Sequence, residues 1–88
     1  MSTQTKSLPT YEALNQLLAE HFYGYGERIQ NMPLDASLFE DEYGFEARDM
    51  LLLVLLIERK WGIRIGAEQI QKGFYTKRDI IRAIDELL

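Results

Sequence analysis

Side chains able to carry out chemistry are scarce in this sequence. It contains no cysteine, which excludes a thiol nucleophile, a disulfide and a thiolate metal site. Its single histidine, His21, has no second histidine nearby, and this disfavours both metal ligation and general-base catalysis. The acidic run from Glu40 to Glu42 lacks the alternating oxygen ligands of a calcium loop and is typical of a solvated surface. We therefore expect no catalytic residue, no metal site and no enzymatic activity.

The charge of the chain bears on its partners. A formal net charge of -4 argues against a nucleic-acid partner, because binding phosphates takes a clustered excess of Lys and Arg. Acidic residues crowd positions 35–49, whereas basic residues dominate the last third. This asymmetry fits a solvated surface of mixed charge or, as a sharper alternative, an acidic patch that meets a basic partner.

The length allows one domain. Chains of 88 residues bury only about 60 to 65% of the surface that they expose when unfolded, so a second core has no room. We interpret residues 1–88 as a single domain, with residues 1–8 as a disordered tail. That tail lacks the apolar core of a secretory signal, and the longest apolar run, residues 50–57, is too short to cross a bilayer. We expect a cytoplasmic protein without membrane contact.

Hydrophobic periodicity predicts an all-α fold, a bundle of three longer helices and one short helix before the last. The long helices are expected over residues 10–23, from residue 46 or 47 to residue 60 or 61, and from about residue 77, with the short helix over 67–72. Thr76 and Asp79 have the spacing of a capping box at the start of the last helix. The predicted core positions are Tyr11, Leu14, Leu17, Leu18, Phe22, Met50, Leu53, Val54, Ile57, Trp61, Ile80, Ile81, Ile84, Leu87 and Leu88.

The segment between the first two long helices is predicted to be a loop of about twenty residues. Gly24 and Gly26 end the first helix, and Pro33 with the turn-prone stretch 35–37 keeps the remainder irregular. Loops of that length inside compact domains are usually functional or held in place by their own side chains. The side chains expected to pin this loop to the bundle are Leu34, Leu38 and Phe39.

A recognisable pattern runs through residues 35–65, DASLFEDEYGFEARDMLLLVLLIERKWGIRI. A turn of the type D/N-x-S-apolar-apolar-E-D leads to a glycine, and a helix follows that ends in Glu, an aromatic residue and a Gly-Ile-x-Ile tail. This pattern resembles the central signature of acyl and peptidyl carrier proteins when one residue near Glu42 is counted as an insertion, and the likeness is weak before Pro33. The positions in register are Ser37, Glu40, Asp41, Gly44, Asp49, Glu58, Trp61 and Ile65.

The resemblance implies a carrier whose serine, at the start of the second long helix, is esterified with 4'-phosphopantetheine by a phosphopantetheinyl transferase. The thiol of that arm would hold acyl or aminoacyl groups for the synthases and transferring enzymes of fatty-acid, polyketide or peptide biosynthesis. A helix N-terminus suits the attachment, because its free amides and positive dipole end face the phosphodiester.

This chain departs from the family at the attachment position, where Asp-Ser-Leu is replaced by Glu46, Ala47 and Arg48. A methyl group cannot be esterified, so no arm is expected on the chain as written. The role is not transferred to the serines elsewhere, because none follows the glycine at a helix start: Ser2, Ser7 and Ser37. Two explanations stay open. Either a native serine was replaced to keep an acyl carrier unmodified, or a natural carrier-like adaptor kept its docking surface and lost the arm.

The predicted second long helix carries a further departure. Positions 48, 52, 55 and 59 form a stripe that in typical carriers mixes apolar residues with acids, whereas here the stripe contains two leucines and two arginines. The leucines either pack under the long loop or form an exposed apolar contact site. For the second case we expect a dedicated docking protein or a weak homodimer. The predicted partner-binding residues are Arg48, Asp49, Leu52, Leu55 and Arg59.

Overall fold

The computed structural model describes residues 7–88, and the side chains from residue 9 onward. Within these residues the protein is all-α, as predicted, and its only β-pairing is an isolated bridge between Ser37 and Thr76. None of the described helices is long and apolar enough to cross a membrane. The helices are α1 (Ser7–His21), α2 (Glu27–Asn31), α3 (Ala47–Trp61), α4 (Ala67–Gln71) and α5 (Lys77–Leu87), with a 3-10 turn at Tyr23–Tyr25.

The four predicted helices are present, and α1 begins earlier than expected. It starts at Ser7 rather than Thr10, so residues 7 and 8, which were predicted to belong to a disordered tail, are helical. Residues 1–6 of that predicted tail lie outside the described residues. Pro9 falls in the first helical turn, where backbone N–H groups have no intrahelical partner and a proline is tolerated. α1 packs against α5 through its predicted apolar stripe.

The segment predicted as a long loop contains α2 and the 3-10 turn, which is a correction to the sequence-based interpretation. Ile29 is fully buried and Met32 nearly so, and these two side chains fasten α2 to the core. Of the three residues expected to pin the loop, Leu38 is fully buried and Leu34 packs against the core, but Phe39 is 40% exposed. The loop is therefore held by α2 and Leu38, and the expected role of Phe39 is wrong.

The helix α3 has the predicted bounds. Gly44 adopts a φ of 75°, a left-handed conformation that favours glycine, and it turns the chain into the extended residue Glu46 before the helix. Gly62 ends the helix in the left-handed αL conformation. On the inner face Leu53 and Ile57 are fully buried. The start of α3 is thus fixed by the chain before it and by the core beneath it.

The helix α5 is joined at its start to the loop that precedes α3. The Leu38 N–H donates to the Tyr75 carbonyl at 2.9 Å, and the Phe45 N–H donates to the Leu38 carbonyl at 3.0 Å. The predicted capping box is confirmed, with the Asp79 N–H donating to the Thr76 hydroxyl at 3.0 Å. Leu38 therefore connects the amino ends of α3 and α5.

The carboxyl end of α5 differs from the prediction. Ile80, Ile81 and Ile84 are buried as expected, but the two final leucines are 36% and 59% exposed: Leu87 and Leu88. Leu87 is the last residue of α5, and Leu88 follows it and lines an open cavity together with Pro9, Thr10, Ala13 and Trp61.

Candidate functional site

Residue 47 is the first residue of α3, and its side chain is exposed. Its position is fixed from below by Phe45, which is buried two residues earlier. The Phe45 ring lies 5.0 Å from the ring of Phe22 and 5.6 Å from that of Tyr25, measured between centroids. This aromatic cluster anchors the approach to α3, so Ala47 is presented to solvent from a rigid base.

The carboxylate of Asp49 organises the first turn of α3. One oxygen, Oδ2, accepts hydrogen bonds from the Glu46 N–H at 2.8 Å and from the Tyr25 hydroxyl at 2.5 Å. The hydrogen bond to Asp49 is the main reason why the pKa of Tyr25 rises to about 12. Asp49 was predicted to bind a partner, but the structure engages this oxygen internally, where it ties the 3-10 turn to the start of α3.

The remaining groups around residue 47 are charged and exposed. Nε of Arg48 lies 3.2 Å from Oε1 of Glu46, and both side chains are largely exposed, so this ion pair contributes little to stability. Ala47 offers only a methyl group, so the site as it stands has no atom that could be esterified by phosphopantetheine. The chemistry of residue 47 therefore does not fit the prosthetic group, although its position is accessible.

The outward face of α3, defined here as Arg48, Leu51, Leu52, Leu55 and Arg59, lies opposite its buried face. Leu55 is 57% exposed and Leu52 is 43% exposed, so the alternative that they pack under the long loop does not hold. Leu51 is 68% exposed and extends the apolar surface toward residue 47. Leu51 belongs to neither of the two stripes predicted for this helix, although its spacing of four residues from Leu55 places it beside the outward one.

The other residues considered for chemistry do not join this site. His21 is exposed at the end of α1, and the side chains of Glu40, Asp41 and Glu42 are exposed in the loop. Among residues 7–88, no three His, Asp or Glu side chains come together in a way that could hold a metal ion. The Ser37 hydroxyl accepts a hydrogen bond from the Phe39 N–H at 3.2 Å, within the turn that precedes α3.

The tail of the carrier-like pattern has a structural role at the other end of α3. Oε2 of Glu58 accepts a hydrogen bond from the Ile65 N–H at 2.8 Å, and the Ile65 side chain is buried. This contact folds the chain back after Gly62 and occupies a carboxylate oxygen of α3.

No protein-family model matches the sequence, and a search of curated proteins finds no match.

Proposed function

We propose that this chain is an acyl-carrier-type domain that works by presenting the amino end and outward face of α3 to biosynthetic enzymes. The observation that carries the proposal is the placement of residue 47, exposed at the first position of a helix whose approach is rigidly anchored. A helix start is a suitable place to hold an anionic group at the protein surface, because its amides are free and its dipole end is positive.

Further features support the carrier-type bundle. The positive φ of Gly44, the bounds of α3 and the short α4 before α5 occur where the resemblance to carrier proteins leads one to expect them. In the Glu-aromatic-Gly-Ile-x-Ile tail of the pattern, the carboxylate of the first residue, Glu58, accepts a hydrogen bond from the N–H of the last, Ile65. The added α2 lies in the loop between the first two long helices and leaves the order of the other four unchanged.

The residue at position 47 decides which form of the function applies. With serine there, the domain would be a carrier of acyl or aminoacyl groups, loaded by a phosphopantetheinyl transferase and served by synthases and transferring enzymes. With Ala47 the domain acts as an adaptor without an arm. The exposed Leu51, Leu52 and Leu55 favour the adaptor as the function of the chain as written, because an uncovered apolar surface marks a protein contact.

The experiment that tests the proposal is loading of the Ala47→Ser variant. The variant is incubated with coenzyme A and a promiscuous phosphopantetheinyl transferase, and the product is read by intact mass. We expect the mass to increase by one phosphopantetheine, and the unchanged chain, which still contains Ser37, to gain nothing. If the variant keeps its helical circular dichroism but gains no mass, the carrier-type identity is wrong.

A further inference from the structure

We propose that the outward face of α3 binds an acidic amphipathic helix of a different protein. The inference deepens the proposed function, because it names the chemistry of the partner that this same surface fits. It rests on the arrangement of three exposed leucines between two arginines: Leu51, Leu52 and Leu55 between Arg48 and Arg59.

The leucines form one continuous patch. Leu51 and Leu55 are four residues apart and Leu52 and Leu55 three, so their side chains are neighbours on the helix surface. Their exposed fractions lie between 43% and 68%, so a large part of each side chain is open to solvent. A partner helix with a row of apolar side chains at helical spacing could pack against such a patch, as an amphipathic helix does in helix-in-groove recognition.

The charges at the two ends of the patch have the same sign. Arg48 and Arg59 are eleven residues apart, about 16 Å at the helical rise of about 1.5 Å per residue. Arg59 forms no salt bridge with any described residue, and the pair between Arg48 and Glu46 is exposed to solvent. A partner helix with carboxylates flanking its apolar residues would therefore place an acid against each arginine.

The acids of α3 do not cancel this positive character. Oδ2 of Asp49 is engaged by Tyr25 and by the backbone of the cap, and Oε2 of Glu58 is engaged by the backbone of Ile65. Both residues are half-buried, and Glu58, three residues after Leu55, borders the outward face. The face that a partner meets is thus apolar at its centre and has an arginine at each end, of which Arg48 also pairs with the exposed Glu46, even though the whole chain carries a net charge of -4.

A second copy of the chain is a poorer occupant of this face. When two copies pair antiparallel over their leucines, the Arg48 end of each meets the Arg59 end of the other, and parallel pairing brings identical ends together. Parallel pairing places arginine near arginine at both ends, and antiparallel pairing offers each Arg59 only the end at which Glu46 already pairs with Arg48. A lipid surface is also a poorer occupant, because the outward face carries no aromatic anchor.

The test uses two synthetic helical peptides with the same leucine stripe. One has glutamates flanking the stripe at eleven-residue separation, and the other has lysines at those positions. Each is titrated into the isotopically labelled chain while the backbone amide resonances are followed by NMR. We expect shifts on α3 and about tenfold tighter binding of the acidic peptide, since two exposed ion pairs contribute up to about fivefold each.

Variants of the chain make the test specific. Arg48→Glu combined with Arg59→Glu should reverse the preference toward the lysine peptide, and Leu55→Ser should weaken the binding of both peptides. The control for Arg59→Glu is Lys72→Glu. It changes the net charge by the same amount but lies away from the outward face, so the preference for the acidic peptide should remain. Circular dichroism checks that each variant keeps its helices.

The proposal is overturned if the two peptides bind equally, if the shifts fall outside α3, or if the charge reversal leaves the preference unchanged. It is also overturned if sedimentation shows self-association that Leu55→Ser abolishes, or if anionic vesicles bind the face more tightly than the acidic peptide. Loading of Ala47→Ser separates this inference from the carrier-type identity. Failed peptide binding with intact loading removes the acidic partner alone, whereas failed loading with intact peptide binding removes the carrier identity alone.

Discussion

Raising the pH from 7 to 9.5 is expected to stabilise this fold, because the ammonium group of Lys77 is buried without a carboxylate. Nζ donates to Oδ1 of Asn15 at 2.6 Å and to the carbonyl of Gln30 at 3.3 Å, and it lies 5.7 Å from the ring of Tyr11. None of these partners, which come from α1 and α2, carries a negative charge at neutral pH. Among the described residues no acid forms a salt bridge with Lys77.

The size of the effect follows from the pKa of Lys77. Burial lowers this pKa from 10.5 to about 8, because the low-dielectric interior disfavours the charged form. Between these values the unfolded chain binds more protons than the folded chain, so the free energy of unfolding rises with pH. At about 1.36 kcal/mol per pKa unit the full gain is about 3 kcal/mol, of which about 2 kcal/mol appears between pH 7 and pH 9.5.

The assay is urea unfolding at a series of pH values, compared between the unchanged chain and Lys77→Met. The methionine keeps most of the volume of the side chain and has no proton to lose, so the rise of about 2 kcal/mol should disappear. Lys72→Met is the matched control, because Lys72 is exposed and its loss should leave the slope nearly unchanged. If Lys77→Met and the unchanged chain show the same pH slope, Lys77 is not a buried cation.

Three further comparisons test the packing of α3 and the cap of α5. Tyr25→Phe removes the hydrogen bond to Asp49 and keeps the ring contacts, so we expect the free energy of unfolding to fall by about 1 to 3 kcal/mol in urea titrations, and a negligible fall would contradict the hydrogen bond. In the same assay Leu53→Ala should lower the free energy of unfolding by about 2 to 5 kcal/mol, whereas Leu51→Ala on the outward face should lower it by less than about 0.5 kcal/mol. Equal losses for the two variants would contradict the orientation of α3. Thr76→Ala should lower the melting temperature through a loss of about 1 kcal/mol at the cap of α5, and an unchanged melting temperature would argue against the capping box.

The long helices could be predicted from the sequence because their limits are marked by particular residues. Gly44 and Gly62 bracket α3, and Thr76 with Asp79 marks the start of α5. The helix α2 could not be predicted in the same way. It has five residues, which is little more than one turn, so no repeating spacing reveals it, and it is held in place by the burial of Ile29 and Met32 in the core.

The burial of Lys77 could not be predicted from the sequence either. Lysine is almost never fully buried, so the natural expectation is an exposed side chain at the start of α5. The groups that receive its hydrogen bonds belong to Asn15 and Gln30, which are 62 and 47 residues away along the chain. Contacts over that distance depend on how the helices pack, and local patterns do not encode it.

The candidate site was predicted in part. The position of residue 47 and the place of Leu52 and Leu55 on one stripe of α3 follow from helical spacing, which the sequence displays directly. Their exposure was one of two alternatives and is given by the structure. The inward engagement of Asp49 does not, because its partner Tyr25 lies in a segment that was predicted to be an irregular loop. A short-range pattern can place a residue on a helix face, but it cannot tell which distant hydroxyl will reach that face.

The proposed function depends most on whether an enzyme can reach and use residue 47, and the modification of a serine placed there measures this directly. Ala47→Ser is compared with Leu51→Ser, which puts the same hydroxyl one turn later on the exposed face of α3. We predict that the transferase attaches phosphopantetheine to the first variant and leaves the second unmodified. Modification of both variants, or of neither while both remain folded, would contradict the claim that the amino end of α3 is a carrier-type attachment position.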